Sequence, residues 1–206
     1  MELYIVSSGL IETTRDRILD AALGLIERDQ GGAVSMGAIA KAAGLSRQAL
    51  YLTFADKADL YIALVRRVDE SRGVPMERAK VEEAADGETA LHALIDMQAR
   101  LNPTLGPIAN AMDMLRRQDP DAERAWQDRL EARMQLCRIV AGLLEREGRL
   151  RKGLDQATAA EMIWTVTSLR TWDDLVTHSG WSADAYRAHL TDLLGGWLAS
   201  RDSQAD

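Results

Sequence analysis

The chain has 206 residues, 47% of them hydrophobic and 28% charged, which is the composition of a folded protein of one or two domains and excludes a disordered chain. One cysteine, Cys137, excludes an internal disulfide framework and a thiolate metal cage, and no apolar stretch approaches the roughly 18 residues of a bilayer span. The formal net charge of −7 argues against coating nucleic acid by charge alone, yet residues 33–57 carry three basic side chains, Lys41, Arg47 and Lys57, against one acidic, Asp56. The N-terminal segment has neither a basic leader nor a sustained apolar run, so the expected address is the cytoplasm, with no membrane partner.

Thr13 and Asp16 have the spacing of a capping box, and Ile18, Ala22, Leu25 and Ile26 follow at helical spacing until Gly31-Gly32. This predicts a first helix. Ser35 is placed to cap a short second helix over residues 36–43, with Ile39 inward and Ala40 and Ala43 small enough for close helix approach. Gly44 supplies a left-handed end, Leu45 pins the turn and Ser46 caps a third helix. Asp56 caps a fourth, which runs to Arg72 before the boundary marked by Pro75. Gly87 and Asn102-Pro103 then punctuate the chain, leaving helical segments over residues 91–101 and 108–117. A longer helix starts near Asp119-Pro120-Asp121, with Ala122, Trp126, Leu130, Met134, Cys137, Ala141 and Leu144 in one stripe up to Gly148. Cys137 is read as a small buried hydrophobe. Residues 157–177 are apolar on more than one face, the pattern of a helix with two neighbours. After Ser179-Gly180 a last helix carries Tyr186, Leu190, Leu193, Leu194 and Trp197, and residues 200–206 form a polar tail. The expected fold class is all-α.

Two short helices joined by a turn at Gly44 match a helix-turn-helix, whose second helix lies in the DNA major groove with its first residues at the base edges. Those residues are Ser46, Arg47, Gln48 and Ala49. Arg pairs with guanine and Gln with adenine in bidentate geometry, and the Ala49 methyl suits a thymine methyl. Tyr51 stands where a phenol reaches a backbone phosphate, and Lys57, in the first turn of the fourth helix, is a second candidate anchor.

Residues 14–65, TRDRILDAALGLIERDQGGAVSMGAIAKAAGLSRQALYLTFADKADLYIALV, resemble the TetR family of bacterial transcriptional regulators. The resemblance implies three N-terminal helices and a linker helix over residues 11–71, then a helical ligand-binding and dimerisation domain over 72–206. It adds Ser35 and Thr53 to Tyr51 and Lys57 as phosphate contacts. Thr53 stands where the family often has histidine, and Gly37-Ala38 replaces a more polar pair. The implied activity is repression of a palindromic operator in double-stranded DNA by a homodimer, released by a small hydrophobic effector. Met97, Met112, Met134, Met162, Trp126 and Trp164 are the expected cavity lining, with one polar contact each from Arg100 and Asp113. Methionines suit a broad range of apolar ligands, and no cluster of charges selects an ionic one. Leu190, Leu194 and Trp197 are the expected dimer contacts.

Catalysis finds little support. His92, His178 and His189 are far apart, no phosphate loop or nucleophile elbow accompanies them, and His92 with Asp96 makes at most two metal ligands. No cofactor or metal is expected. The alternative reading is a dimeric small-molecule-binding module without DNA-binding activity.

Overall fold

The structure, a computed structural model, describes residues 13–28 and 34–199. Gly31-Gly32 and the tail 200–206 lie outside the described residues. The elements are α1 (Thr14–Arg28), α2 (Met36–Ala42), α3 (Arg47–Thr53), α4 (Lys57–Ser71), α5 (Val74–Glu82), α6 (Gly87–Arg116), α7 (Pro120–Arg146), α8 (Gln156–Val166), α9 (Leu169–Trp172), a π-helical turn (Asp173–His178) and α10 (Ala183–Leu198). Among the described residues there is no strand, and no helix is long and apolar enough to cross a membrane.

Helix starts are set by short polar side chains within three residues of the orphan N–H groups they satisfy. Thr13 and Asp16 form the reciprocal box at α1, with Asp16 N–H donating to Thr13 Oγ1 at 3.1 Å and Thr13 N–H donating to Asp16 Oδ2 at 3.1 Å. Asp56, Asp86, Asp155 and Ser182 accept from Asp59, Thr89, Thr158 and Ala185 at α4, α6, α8 and α10. α1 to α3 close a small core on Ile18, Ala22, Ile26, Ile39, Leu50 and Phe54, and α4 packs between α1 and α7. α5 to α10 form the larger bundle, with α6 and α7 at its centre. Cys137 is fully buried there, and burial pushes its thiol up to about 11, an inert position.

Several elements depart from the sequence reading, among them α5, which starts at the Pro75 boundary where no helix is predicted. The predicted break at Asn102-Pro103 is absent: α6 runs for 30 residues through Pro103 and Pro107. Both prolines lie on the exposed face, four residues apart, while Leu101, Asn102, Leu105, Gly106 and Ile108 are buried. The apolar face holds the helix together where propensity alone would end it. The predicted helix over 157–177 is instead broken at Thr167-Ser168. Thr167 donates its hydroxyl to the Ile163 carbonyl at 2.7 Å, and Ser168 Oγ accepts from Thr171 N–H, starting α9. On α10, Leu190 and Leu194 are 2% and 1% exposed in their own chain, in one row with Tyr186 and Leu198. They are core residues, which corrects their assignment to a dimer surface. The outward face carries Leu193, 57% exposed, and the half-buried Trp197.

Candidate nucleic-acid interface and effector cavity

The local chemistry of residues 35–54 fixes how α3 is presented. Ser35 Oγ accepts from Ala38 N–H at 3.1 Å to open α2. α2 closes on Gly44, φ +67°, with Leu45 N–H donating to Ala40 O at 2.9 Å and Gly44 N–H to Lys41 O at 3.2 Å. A residue with a Cβ pays strain in that left-handed conformation, and glycine does not. From α1, Arg17 donates to the Ala43 carbonyl at 2.7 Å, so the end of α2 is also held by a cation. Ser46 Oγ then accepts from Ala49 N–H at 3.1 Å to open α3. Leu50 and Phe54 turn inward, and the Arg15 guanidinium lies 4.5 Å over the Phe54 ring. The opposite face of α3 is left to solvent.

On that face Ser46, Arg47 and Gln48 are exposed, Ala49 is half-buried and Tyr51 is 54% exposed. Leu52, at 83%, is an exposed apolar neighbour that sequence reasoning passed over. The Arg47 guanidinium lies across Gly37, where a Cβ would stand 2.3 Å from its Nη2. Gly37 therefore clears the space that Arg47 occupies. Two expected phosphate contacts are placed otherwise. Thr53 Oγ1 donates to the Ala49 carbonyl at 3.0 Å, leaving no hydroxyl proton for a phosphate. Lys57 Nζ is 2.7 Å from Asp119 Oδ2 at the start of α7, and Asp119 is only 3% exposed. Its ammonium is an internal ion-pair partner, not a free surface cation. Tyr61 OH, 3.4 Å from both Asp119 Oδ2 and the Val34 carbonyl, completes this junction. Burial and the Asp119 charge push that phenol far above its ordinary value.

α4 is held on both sides. Arg67 reaches Asp16 at 2.5 Å and Asp20 at 2.9 Å on α1. Towards α7, Asp69 pairs with Arg129, Arg66 with Asp128 at 3.4 Å and Asp56 with Arg124 at 3.4 Å. Asp69 is buried enough that desolvation raises its carboxyl above the usual range despite Arg129.

Between α5, α6, α7 and the α8–α9 break lies a cavity of about 350 Å³. Met97, Trp126 and Trp164 line it as expected, with Leu101, Leu105, Leu130 and Leu136, while Met112 lines a smaller pocket that shares Trp126. Four expected residues are elsewhere. Arg100 pairs with Glu77 at 2.6 Å, Asp113 pairs with Arg116 and Arg117, and the half-buried Met134 and Met162 are outside the lining. For Met134 helical phase is the reason: the lining residues Trp126, Leu130 and Arg133 share one α7 face, and Met134 is rotated off it.

The lining is also more polar than the sequence suggests. It holds Arg78, Arg116, Arg129, Arg133 and Arg170 and no carboxylate. Arg133 donates to the Trp164 carbonyl, and its Cζ lies 4.8 Å over the Trp164 ring. Its Nε, Asn102 Nδ2 and Trp164 Nε1 are buried with no protein acceptor, as is the Tyr186 hydroxyl. Burial pushes the Arg133 guanidinium below its usual value. The sequence did carry a signal for Arg133, a charge seven residues after Trp126 and three after Leu130 in an apolar stripe.

Comparison with known proteins agrees with this geometry. Residues 18–64 match the family described as bacterial regulatory proteins, tetR family. The chain is 48% identical over 50 residues to the transcriptional regulator AcrR of Shigella flexneri, covering 24% of this chain and 23% of AcrR. It is 35% identical over 98 residues to the transcriptional repressor LfrR of Mycolicibacterium smegmatis, covering 48% and 50%. It thus spans half or less of each of these two relatives. It is 30% identical over 168 residues to the nucleoid occlusion factor SlmA of Alteromonas mediterranea, covering 76% of this chain and 80% of SlmA. In fold it is similar to NalD of Pseudomonas aeruginosa, the secondary repressor of a multidrug efflux pump, with a TM-score of 0.65 at 22% identity over 92% of this chain and 97% of NalD.

Proposed function

This chain belongs to the TetR family of bacterial regulatory proteins, and we propose that it is a homodimeric transcriptional regulator whose α3 reads a palindromic operator and whose operator affinity is set by a small effector in the cavity. The observation that carries the reading is the solvent face of α3. Every cap of α2 and α3 is satisfied internally, while Arg47, Gln48 and Tyr51 have no hydrogen-bond partner among the described residues. These are the side chains whose geometry discriminates guanine and adenine and grips a phosphate. AcrR and LfrR, a regulator and a repressor by name, support the same reading, and repression is the proposed sign.

The division of labour falls near the end of α4, with residues 11–71 facing DNA and 72–206 serving effector binding and dimerisation. Two α3 helices meet a palindrome only as a symmetric pair. The outward face of α10 supports the contact: Leu193 is exposed, Trp197 is half-buried and a Cβ on Gly195 or Gly196 would meet nothing, so a second helix has room to approach. Arg129 supports the coupling, since it lines the cavity and holds Asp69 of α4. An effector that reorients Arg129 tilts α4, and with it the spacing of the two α3 helices. Lowering operator affinity a hundredfold by this route requires about 2.7 kcal/mol of coupling.

Selection of bound duplexes from a random pool tests the reading. It should enrich an inverted repeat whose half-sites lie about one helical turn apart. A pool that stays random through repeated rounds contradicts operator reading and favours the ligand-binding module without DNA.

A further inference from the structure

The cavity's charge is one-sided, and one of its cations is unneutralised. Of its five arginines, Arg129 is paired with Asp69, Arg116 with Asp113 and Glu123, Arg78 with Glu82 and Arg170 with Asp174. Arg133 pairs with no carboxylate among the described residues. Its protein partners are the Trp164 carbonyl and, at 3.4 Å, the Thr167 hydroxyl, both reached through Nη2. That contact caps a free carbonyl at the end of α8, a structural role that uses one nitrogen of the fork and leaves the charge without a counter-ion. A guanidinium taken from water into an apolar site without an anion is costly, and chains rarely keep one there.

The orphan polar atoms point the same way. Arg133 Nε, Asn102 Nδ2 and Trp164 Nε1 all belong to residues lining this cavity, and all are donors. The cavity thus offers N–H groups and positive charge, with leucines, Met97 and the Trp126 ring around them. A cationic ligand would find no carboxylate on its walls, and a hydrocarbon would leave the donors unmet.

Resting on the reading of this cavity as the effector site, we propose that the effector is an amphipathic organic anion, a single carboxylate on an apolar body, whose carboxylate is taken by Arg133 with the Asn102 amide and the Trp164 indole as further donors. This replaces the expectation of a broad, purely hydrophobic ligand range. A planar guanidinium matches a carboxylate through two parallel N–H donors, so the fork that α8 only partly uses becomes complete when the anion binds.

Isothermal titration of the full chain with octanoate, octanamide and octylammonium, ligands alike in body and different in charge, tests this. Octanoate should bind at least about tenfold more tightly than octanamide, and octylammonium least. In Arg133→Gln, checked for folding by circular dichroism, the carboxylate-to-amide ratio should fall to within about twofold. Arg133→Lys, which keeps the charge and loses the fork, should retain an intermediate ratio and serves if the glutamine variant does not fold. Octanamide or octylammonium binding as tightly as octanoate overturns the anion proposal while leaving the cavity an effector site. So does a ratio that survives in Arg133→Gln. Absence of binding by all three overturns both, and the duplex selection, run without ligand, still judges DNA reading by itself.

Discussion

The two candidate functional regions of this molecule are built on opposite rules. Around α2 and α3 the short polar side chains that shape the backbone find partners close in sequence: Ser35 with Ala38, Ser46 with Ala49, Thr53 with Ala49. The functional side chains stand outside that scaffold, on an exposed face. Around the cavity three buried donors, Asn102 Nδ2, Arg133 Nε and Trp164 Nε1, come from α6, α7 and α8 and are left without protein acceptors. The contrast is that the exposed face of α3 stands on a scaffold whose caps are complete in themselves, whereas the cavity keeps donors that the protein itself does not satisfy. Substituting a polar residue should therefore destabilise the first region and relieve the second.

The largest expected effect lies in the N-terminal core. Phe54→Ala empties a fully buried site in the core closed by α1 to α3 and should cost about 3–5 kcal/mol, read as a lower denaturant midpoint and lost DNA binding. A loss under 1 kcal/mol would break the picture of a tightly closed unit. Next, Arg133→Met should raise stability by about 1–2 kcal/mol, because burying a thioether stem is cheaper than burying an unpaired charge even after the α8 cap is lost. A destabilised variant would show that Arg133 is mainly a structural cap. Ser46→Ala should cost about 1 kcal/mol, lowering Tm by about 2–4 °C. The smallest effect is in acid. Backbone N–H groups of Asp59, Thr89 and Thr158 hold the capping carboxyls of Asp56, Asp86 and Asp155 below the ordinary 3.8. Folding thus gains from their ionised forms at and above ordinary carboxylate values, and that gain is lost as pH falls below about 4 through the lowered folded values. Tm measured from pH 5 to pH 3 should fall less steeply in Asp86→Asn, which keeps an acceptor and has no charge to lose.

How much was legible in the sequence follows from the same contrast. Caps and turns act within three or four residues, so Thr13, Ser35, Gly44, Ser46 and Asp56 announced the helix-turn-helix correctly. Features fixed by distant packing were harder to see. Pro103 read as a break because its cost is local and the buried face that overrides it is not. Leu190 and Leu194 read as a partner surface because a stripe does not say whether its own chain or another covers it. Lys57 read as a phosphate anchor because Asp119 is 62 residues away. Arg133, the residue on which the proposed ligand class turns, does interrupt the apolar stripe of α7, and helical phase is enough to set it on the lining face.

The central proposal is that the free face of α3 reads bases. Fluorescence anisotropy with the selected operator and a scrambled duplex, comparing the wild-type chain with Arg47→Ala, tests it most directly. A loss of about 1–3 kcal/mol is expected on the operator, with relaxed preference at one position per half-site and little change on the scrambled duplex. Equal losses on both duplexes would contradict it, showing Arg47 to be a general cation and the specificity to lie elsewhere.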